Sequence, residues 1–333
     1  MFFIGNNEDN DKEKFFKTKY KEILAKEEVN NKKEAVLNLI EYEDAKIKAY
    51  SFIISLIKFI LFIISIIIIL YSIYTDKPNH QKILNIYICT HKDFPNKIKN
   101  KIYYKILCDR RNQLTRSYSL EIIPTDKDNE LYPKSHGYGE CSKIYYIWKQ
   151  YKSGNISSKY VGFNHYGKIF KFKNKVPNME DIFNKYDAVL RTEYDFGNIT
   201  LREHFDKSHF KEFLDETLEI IKLNFTEYYQ TAISTMKRTR VCFNNIFIMK
   251  KEHFLKYGEF IFGVLLEFDR RHNLKTDEDI KKLIIQEVQK TNRTNVDIDF
   301  QSRLQGFLAE RISQIFYDYH FHNTMKMDIT GLN

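Results

Sequence analysis

Between Ser51 and Tyr74 the chain reads Ser-Phe-Ile-Ile-Ser-Leu-Ile-Lys-Phe-Ile-Leu-Phe-Ile-Ile-Ser-Ile-Ile-Ile-Ile-Leu-Tyr-Ser-Ile-Tyr, with Lys58 as its single charge. A bilayer core takes about 20 mostly apolar residues at 1.5 Å rise each, and a helix that is apolar on every face needs surroundings as apolar as itself. The run predicts one transmembrane helix over 51–74, with a membrane as its partner. A cleaved signal peptide would start near the N-terminus with an apolar core of about 7–15 residues, whereas residues 1–50 come first here and are mostly polar. The long stem of Lys58 can carry its ammonium toward the N-terminal interface. Tyr71 and Tyr74 suit the opposite one.

Lys46 and Lys48 precede the span, and Lys77 and Lys82 follow it. Lys58 tips this near balance toward an N-terminus inside, which predicts a type II single-pass protein with its C-terminal domain in the Golgi or ER lumen. Four Asn-x-Ser/Thr triplets, at Asn155, Asn198, Asn224 and Asn292, all follow the span. A lumenal domain would permit their glycosylation, and an Asn-rich sequence also produces such triplets by chance.

The span divides the remaining charge. Residues 1–50 hold ten Lys against eleven Asp and Glu and no Pro, the pattern of a charged tail or helical stem. A linker over 75–82 follows. The full +9 of the chain then falls on residues 75–333, which suits a phosphorylated substrate or anionic lipid. Nucleic acid ranks last, because no Lys/Arg block there exceeds three and no zinc-finger or RNA-recognition signature occurs. With 11 Gly and 5 Pro in 333 residues, collagen-like and Pro/Gly-rich disordered chains are excluded. The 27 Phe and 23 Tyr supply material for a core, and one domain over 83–325 is expected. Four cysteines without a Cys-x-x-Cys spacing disfavour zinc. Cys89 sits in an apolar strand pattern and reads as core, while an oxidising lumen would also allow one or two disulfides.

Within 83–325, β-rich runs predict strands at 83–90, 159–166, 187–190 and 240–249. Helical spacing marks 140–152, 179–185, 208–236, 252–271, 277–290 and 300–319. This alternation argues for an α/β fold with a largely parallel sheet and a helical C-terminal part. Open α/β sheets bind ligands beyond the carboxyl ends of their strands. That rule selects His91, Lys92 and Asp93 after the first strand, His165 and Tyr166 after the second, and Arg191 to Asp195 after the third. His204 and His209, five apart, point away from each other on a helix and do not make the i, i+4 pair that chelation needs.

The blocks Glu140-Cys-Ser-Lys-Ile-Tyr-Tyr-Ile-Trp148 and Tyr160-Val-Gly-Phe-Asn-His-Tyr-Gly-Lys-Ile-Phe170 resemble a family of glycosyltransferases known mostly from bacterial capsule and exopolysaccharide clusters, domain of unknown function 4422. Asn244-Asn-Ile-Phe-Ile-Met-Lys-Lys-Glu-His-Phe254, the helix Tyr257 to Glu267, and Arg303-Leu-Gln-Gly-Phe-Leu-Ala-Glu-Arg311 agree in order and spacing. The resemblance implies a GT-A-like nucleotide-binding α/β sandwich that transfers a sugar from a nucleotide-sugar donor to a glycan or glycoconjugate acceptor. In the family's motif, Tyr-hydrophobic-Gly-x-x-His-Tyr-Arg-Arg-Tyr/Phe, His165 and Tyr166 match, while Gly167 and Lys168 replace the arginine pair. A lysine is a point charge without the guanidinium fork. The same departure supports a second reading, a membrane-tethered carbohydrate-binding protein that keeps the fold without the transfer.

On the first reading His165 and Tyr166 contact donor or acceptor, and His91, Lys92, Lys168 and Arg303 face phosphates. Glu193 and Asp195 are general-base candidates by position. A divalent cation, Mn or Mg, is common to many GT-A enzymes at an Asp-x-Asp closing a central strand. The comparable strand here ends in Phe-Asn-His-Tyr with no carboxylate, and an Asp-x-Asp past the span occurs at Asp297-Ile-Asp299. That pair either ligates a metal or caps the helix it precedes. Arg303, Glu310 and Arg311 share a helix face and form, with Glu140, either an ion-pair network or an acceptor-side surface. Tyr145, Tyr146, Trp148 and Tyr151 are either a sugar-stacking platform or core.

Overall fold

The computed structural model describes residues 13–19, 30–75, 83–95, 98, 101–172 and 176–331. The 76–82 part of the expected linker, with Lys77 and Lys82, lies outside them, as do residues 1–12 and 20–29 of the tail. The chain divides into two compact units, Met1–Pro78 and Asn79–Asn333.

In the first unit residues 13–19 are helical, and a long helix, α1, runs from Asn30 to Thr75. Its stretch Leu39–Ile68 is long and apolar enough to cross a membrane, and its apolar window is not buried in protein. The helix begins well before Ser51, so the second half of the charged tail is helical and continuous with the apolar run.

The second unit is built on a mixed sheet. Its strands are β1 (Leu84–Thr90), β2 (Tyr104–Cys108), β3 (Glu121–Pro124), β4 (Tyr160–His165), β5 (Ala188–Arg191), β6 (Phe247–Lys250) and β7 (Thr324–Met327), in spatial order β7-β5-β6-β4-β1-β2-β3. β6 is antiparallel to both neighbours, and every other pairing is parallel. β1 lies between β2 and β4 with all seven residues buried. Side chains alternate across a strand: Leu84, Ile86 and Ile88 enter one core, while Tyr87 and Cys89 enter the other.

Helices α2 (Glu140–Lys152), α3 (Leu201–Ser208), α4 (Lys211–Asn224), α5 (Thr226–Thr235), α6 (Lys251–His272), α7 (Asp277–Thr291), α8 (Ile298–Gln301) and α9 (Leu304–His320) follow. Large buried side chains of α2, α6 and α9 share the Tyr87 core. Gly258 of α6 lets α2 approach: a Cβ there would lie 2.1 Å from Trp148 Cδ1. Trp148, Tyr145 and Tyr151 are therefore core, and Tyr146 alone of the four aromatics is half-buried.

Two expected elements are subdivided. The 208–236 helix is two helices, α4 and α5, broken at Phe225, whose ring lies against Gly263 of α6, and α3 ends at Ser208 before the His209-Phe210 break. The 240–249 strand is the short piece Arg240–Val241, paired with Tyr194–Asp195, and then β6. Between them Asn244 and Asn245 both take left-handed backbone, at φ 69° and 47°, a conformation that asparagine tolerates better than most residues. All four cysteines are buried free thiols, so the disulfides that the sequence allowed are absent.

Candidate functional site

β1, β2, β4 and β5 run in one direction, so their carboxyl ends share an edge of the sheet. A cavity of about 670 Å³ opens there. Its wall is assembled from Thr90 and His91 at and after the end of β1, Asp109 after β2, His165, Tyr166 and Lys168 at and after β4, and Asn244 before β6. Gly139, Glu140 and Lys143 at the start of α2 close one side, and Arg303 and Glu310 of α9 and its N-cap close another.

The charges on this wall differ in how they are matched. Asp109 accepts from Lys143 Nζ at 2.6 Å. Glu310 accepts through Oε1 from the Asn244 backbone and side-chain amides, both at 3.2 Å, and through Oε2 from Arg311 Nη1 at 3.1 Å. Burial pushes the Glu310 carboxyl above its ordinary value, Arg311 opposes the rise, and Glu140 adds to it. Lys168 Nζ donates to the Asn244 side chain, at 3.0 Å, and the Arg303 guanidinium rests over the Phe307 ring. Neither cation has a carboxylate partner among the described residues. Lys92 sits beside the cavity with its ammonium over the Tyr166 ring.

His165 is held between these cations and the sheet. Burial pushes its pKa down to about 4, and Lys168, His91, Arg303 and Lys92 reinforce the shift. Its Nδ1 accepts the Gly167 backbone N–H at 3.2 Å, so the neutral ring carries its hydrogen on Nε2. At neutral pH this imidazole is a hydrogen-bond donor rather than a base. His91, depressed by burial and then by Lys143, packs edge-on against Tyr166 at 5.0 Å. The third residue of the first loop, Asp93, is structural. It accepts from the Thr115 and Arg116 backbone amides and fastens the 115–118 segment.

The sheet order, the cavity at the strand ends and the blocks around Glu140 and His165 can be set beside known proteins. The family model described as Domain of unknown function (DUF4422) matches residues 85–285. The chain belongs to this family. Among solved structures it is similar to the apo structure of WbbM, a bifunctional glycosyltransferase, with a TM-score of 0.55 at 17% identity. The match covers 75% of this chain and 45% of that one, so the chain spans less than half the length of WbbM. No curated protein matches in sequence. The likeness gives this DUF4422 domain a glycosyltransferase-like fold.

Other residues singled out in the sequence lie elsewhere. Glu193 is paired with Arg238 at 3.0 Å and Lys326 at 3.4 Å, and Asp195 with Arg240 at 2.8 Å; neither lines the cavity. Asp297 caps α8 by accepting from the Phe300 amide at 3.0 Å, while Asp299 lies 3.4 Å from Lys281. Among the described residues no group of three or more His, Cys, Asp or Glu side chains could hold a metal ion. Arg311 is fully buried behind the cavity, with the Phe205 and Phe243 rings beside its guanidinium and His204 Nδ1 3.1 Å away. His209 is buried against Phe307 and bonded to Gln301.

Sequence reading missed Asp109, Lys143 and Asn244 as cavity residues. Asp109 would have followed from the strand-end rule had Tyr104–Cys108 been recognised as a strand. Lys143 lies one turn after Glu140 on α2. Arg303 and Glu310 fall beyond the matched range 85–285, yet α9 brings them to the same DUF4422 cavity.

Proposed function

We propose that this protein is a membrane-anchored glycosyltransferase that moves a sugar from a nucleotide-sugar donor to a glycan or glycoconjugate acceptor. The observation that carries the reading is the cavity at the carboxyl ends of the strands, with Lys168 and Arg303 on its wall and, among the described residues, no carboxylate paired with either. Cations that converge on a cleft without internal partners suit an anionic ligand. A diphosphate held by Lys168, Arg303 and Lys92, with His91 and the His165 Nε2–H as neutral donors, would have its developing charge stabilised as it leaves. Tyr166, between His91 and His165, is proposed to contact the sugar.

In the same proposal the apolar part of α1 is the membrane anchor, with type II orientation and the catalytic domain in the Golgi or ER lumen. The exposed positions of Asn155, Asn198, Asn224 and Asn292 are compatible with glycosylation there. Glycosidase-sensitive mass on Asn155 or Asn198 tests the topology.

Activity is tested by incubating the purified protein with UDP-, GDP-, dTDP- and CMP-linked sugars, with and without Mn²⁺. Transfer or slow hydrolysis of one donor is expected. Sugar binding with no turnover would instead support the carbohydrate-binding reading, which the replacement of the family's arginine pair by Gly167 and Lys168 favours. His165→Ala should abolish transfer, and a folded, fully active variant would remove His165 from the reaction.

A further inference from the structure

A sugar transfer to a hydroxyl needs a group to take the hydroxyl's proton. Three carboxylates line the cavity, and two are already engaged by cations: Asp109 by Lys143 and Glu310 by Arg311. Glu140 differs. It has no cation partner within ion-pair range among the described residues, and its one hydrogen bond from a side chain comes from Asn245 Nδ2 to Oε1, at 3.2 Å. Oε2 remains available to a ligand. The carboxylate also sits in the first turn of α2.

The support behind Glu140 is rigid. Asn245 is buried, and its Oδ1 accepts from Ser313 Oγ at 2.7 Å, which in turn lies 2.8 Å from the Tyr257 hydroxyl. Its backbone is left-handed, and its amide reaches Glu140 at the start of α2. Three elements, the Asn244-Asn245 turn, α6 and α9, thus hold one amide whose Nδ2 donates to the cavity carboxylate and to Cys141 Sγ at 3.4 Å. Such a chain of satisfied polar groups fixes a side chain in place. Arg303 is adjacent: a Cβ built on Gly139 would lie 4.0 Å from its Nη2.

Resting on the glycosyltransferase reading, we propose that Glu140 is the catalytic base of the transfer and that Asn245 is its positioning residue. The acceptor O–H bond breaks as its proton passes to Glu140 Oε2. The acceptor oxygen forms a bond to the anomeric carbon, and the bond from that carbon to the diphosphate oxygen breaks, its electron pair leaving with the nucleoside diphosphate toward Lys168 and Arg303. Glu140 then returns the proton to water. One displacement at one carbon inverts the anomeric configuration.

The test uses the full chain in detergent, with the donor that the panel identifies and the matching nucleoside diphosphate as the binding probe. Glu140→Gln should lower kcat by about 10²–10⁴-fold, leave the nucleoside diphosphate Kd within about threefold, and erase the acidic limb of the kcat–pH profile. Retention of kcat within about tenfold by a folded Glu140→Gln protein would overturn the assignment, as would a product of retained configuration. Should the Gln variant fail to fold, Glu140→Asp takes its place, with kcat reduced and the acidic limb kept. Asn245→Ala removes a hydrogen bond to the ionised carboxylate and should move the acidic limb to higher pH; an unmoved limb would end the positioning role. Wild-type protein that turns over no donor would sink the glycosyltransferase reading and this inference together, whereas an active wild type with an active Glu140→Gln sinks the inference alone.

Discussion

Two charged regions of this domain, reached from Lys134 and from Glu140 only six residues apart, are built on opposite terms. In the first, Asp269 is buried and accepts from Lys134 Nζ, from the Tyr138 hydroxyl at 2.7 Å and from Gln305 Nε2 at 2.8 Å, while Lys134 also reaches the Leu274 carbonyl at 3.3 Å. Both charges there have internal partners. In the cavity Lys168, Arg303 and Glu140 have none of opposite sign among the described residues. Removing a charge from water costs several kcal/mol unless a partner compensates, so the buried set must be matched to fold at all. The cavity set keeps its access to solvent and leaves its places open for a ligand.

The sharpest way to break this contrast is to remove one member of each set. Asp269→Ala strands Lys134 in the core and should cost about 3–5 kcal/mol of stability, read by denaturant unfolding. Acid is the next largest perturbation. His165 and His209, both held by burial near pKa 4 rather than 6.5, refuse protons that the unfolded chain accepts. Their contribution to stability is complete above about pH 6.5, declines as the pH falls toward 4, and is constant below. A melting temperature that falls across this window, less steeply in His209→Gln, is expected. A bound diphosphate places negative charge beside His165 and not His209, so NMR titration should show only the His165 pKa rising.

Arg303→Ala should leave stability within about 0.5 kcal/mol and weaken nucleoside diphosphate binding by about 1.5–3 kcal/mol, the range for a hydrogen bond to a charged group. Equal binding with lowered stability would place Arg303 in the matched set. The smallest effect is expected for Asp297→Ala, which removes a helix cap at about 1 kcal/mol and should leave any Mn²⁺ dependence unchanged, as titration of activity against the metal would show.

Much of this arrangement was legible before the structure. The apolar run, β1, α2, β4 and the C-terminal helices follow from periodicity, and the strand-end rule reached His91, Lys92, His165 and Tyr166. What it lost traces to specific residues. Tyr104–Cys108 and Glu121–Pro124 are short strands, the second ending in proline, too brief for alternation to register. Without them Asp109 had no strand end to follow. Phe210 and Phe225 interrupt helices without glycine or proline, because tertiary packing rather than local propensity decides there. The Asn244-Asn245 pair was a readable turn signal overruled by the apolar residues on either side. Glu193 and Asp195 were chosen by position alone, and their pairing with Arg238, Lys326 and Arg240 across the fold could not be seen in one dimension.

The unbroken course of α1 has a further consequence, one of phase. At 1.5 Å per residue its 46 residues extend roughly 70 Å, more than twice the thickness of a bilayer core. The polar turns before Ser51 and the apolar turns after it share one rotational register, at about 100° per residue. A single residue deleted between Lys46 and Ser51 would swing the Leu37–Ile40 face by about 100° around the axis while leaving composition and charge almost untouched. Whatever that face meets is therefore specified by an angle as much as by its side chains.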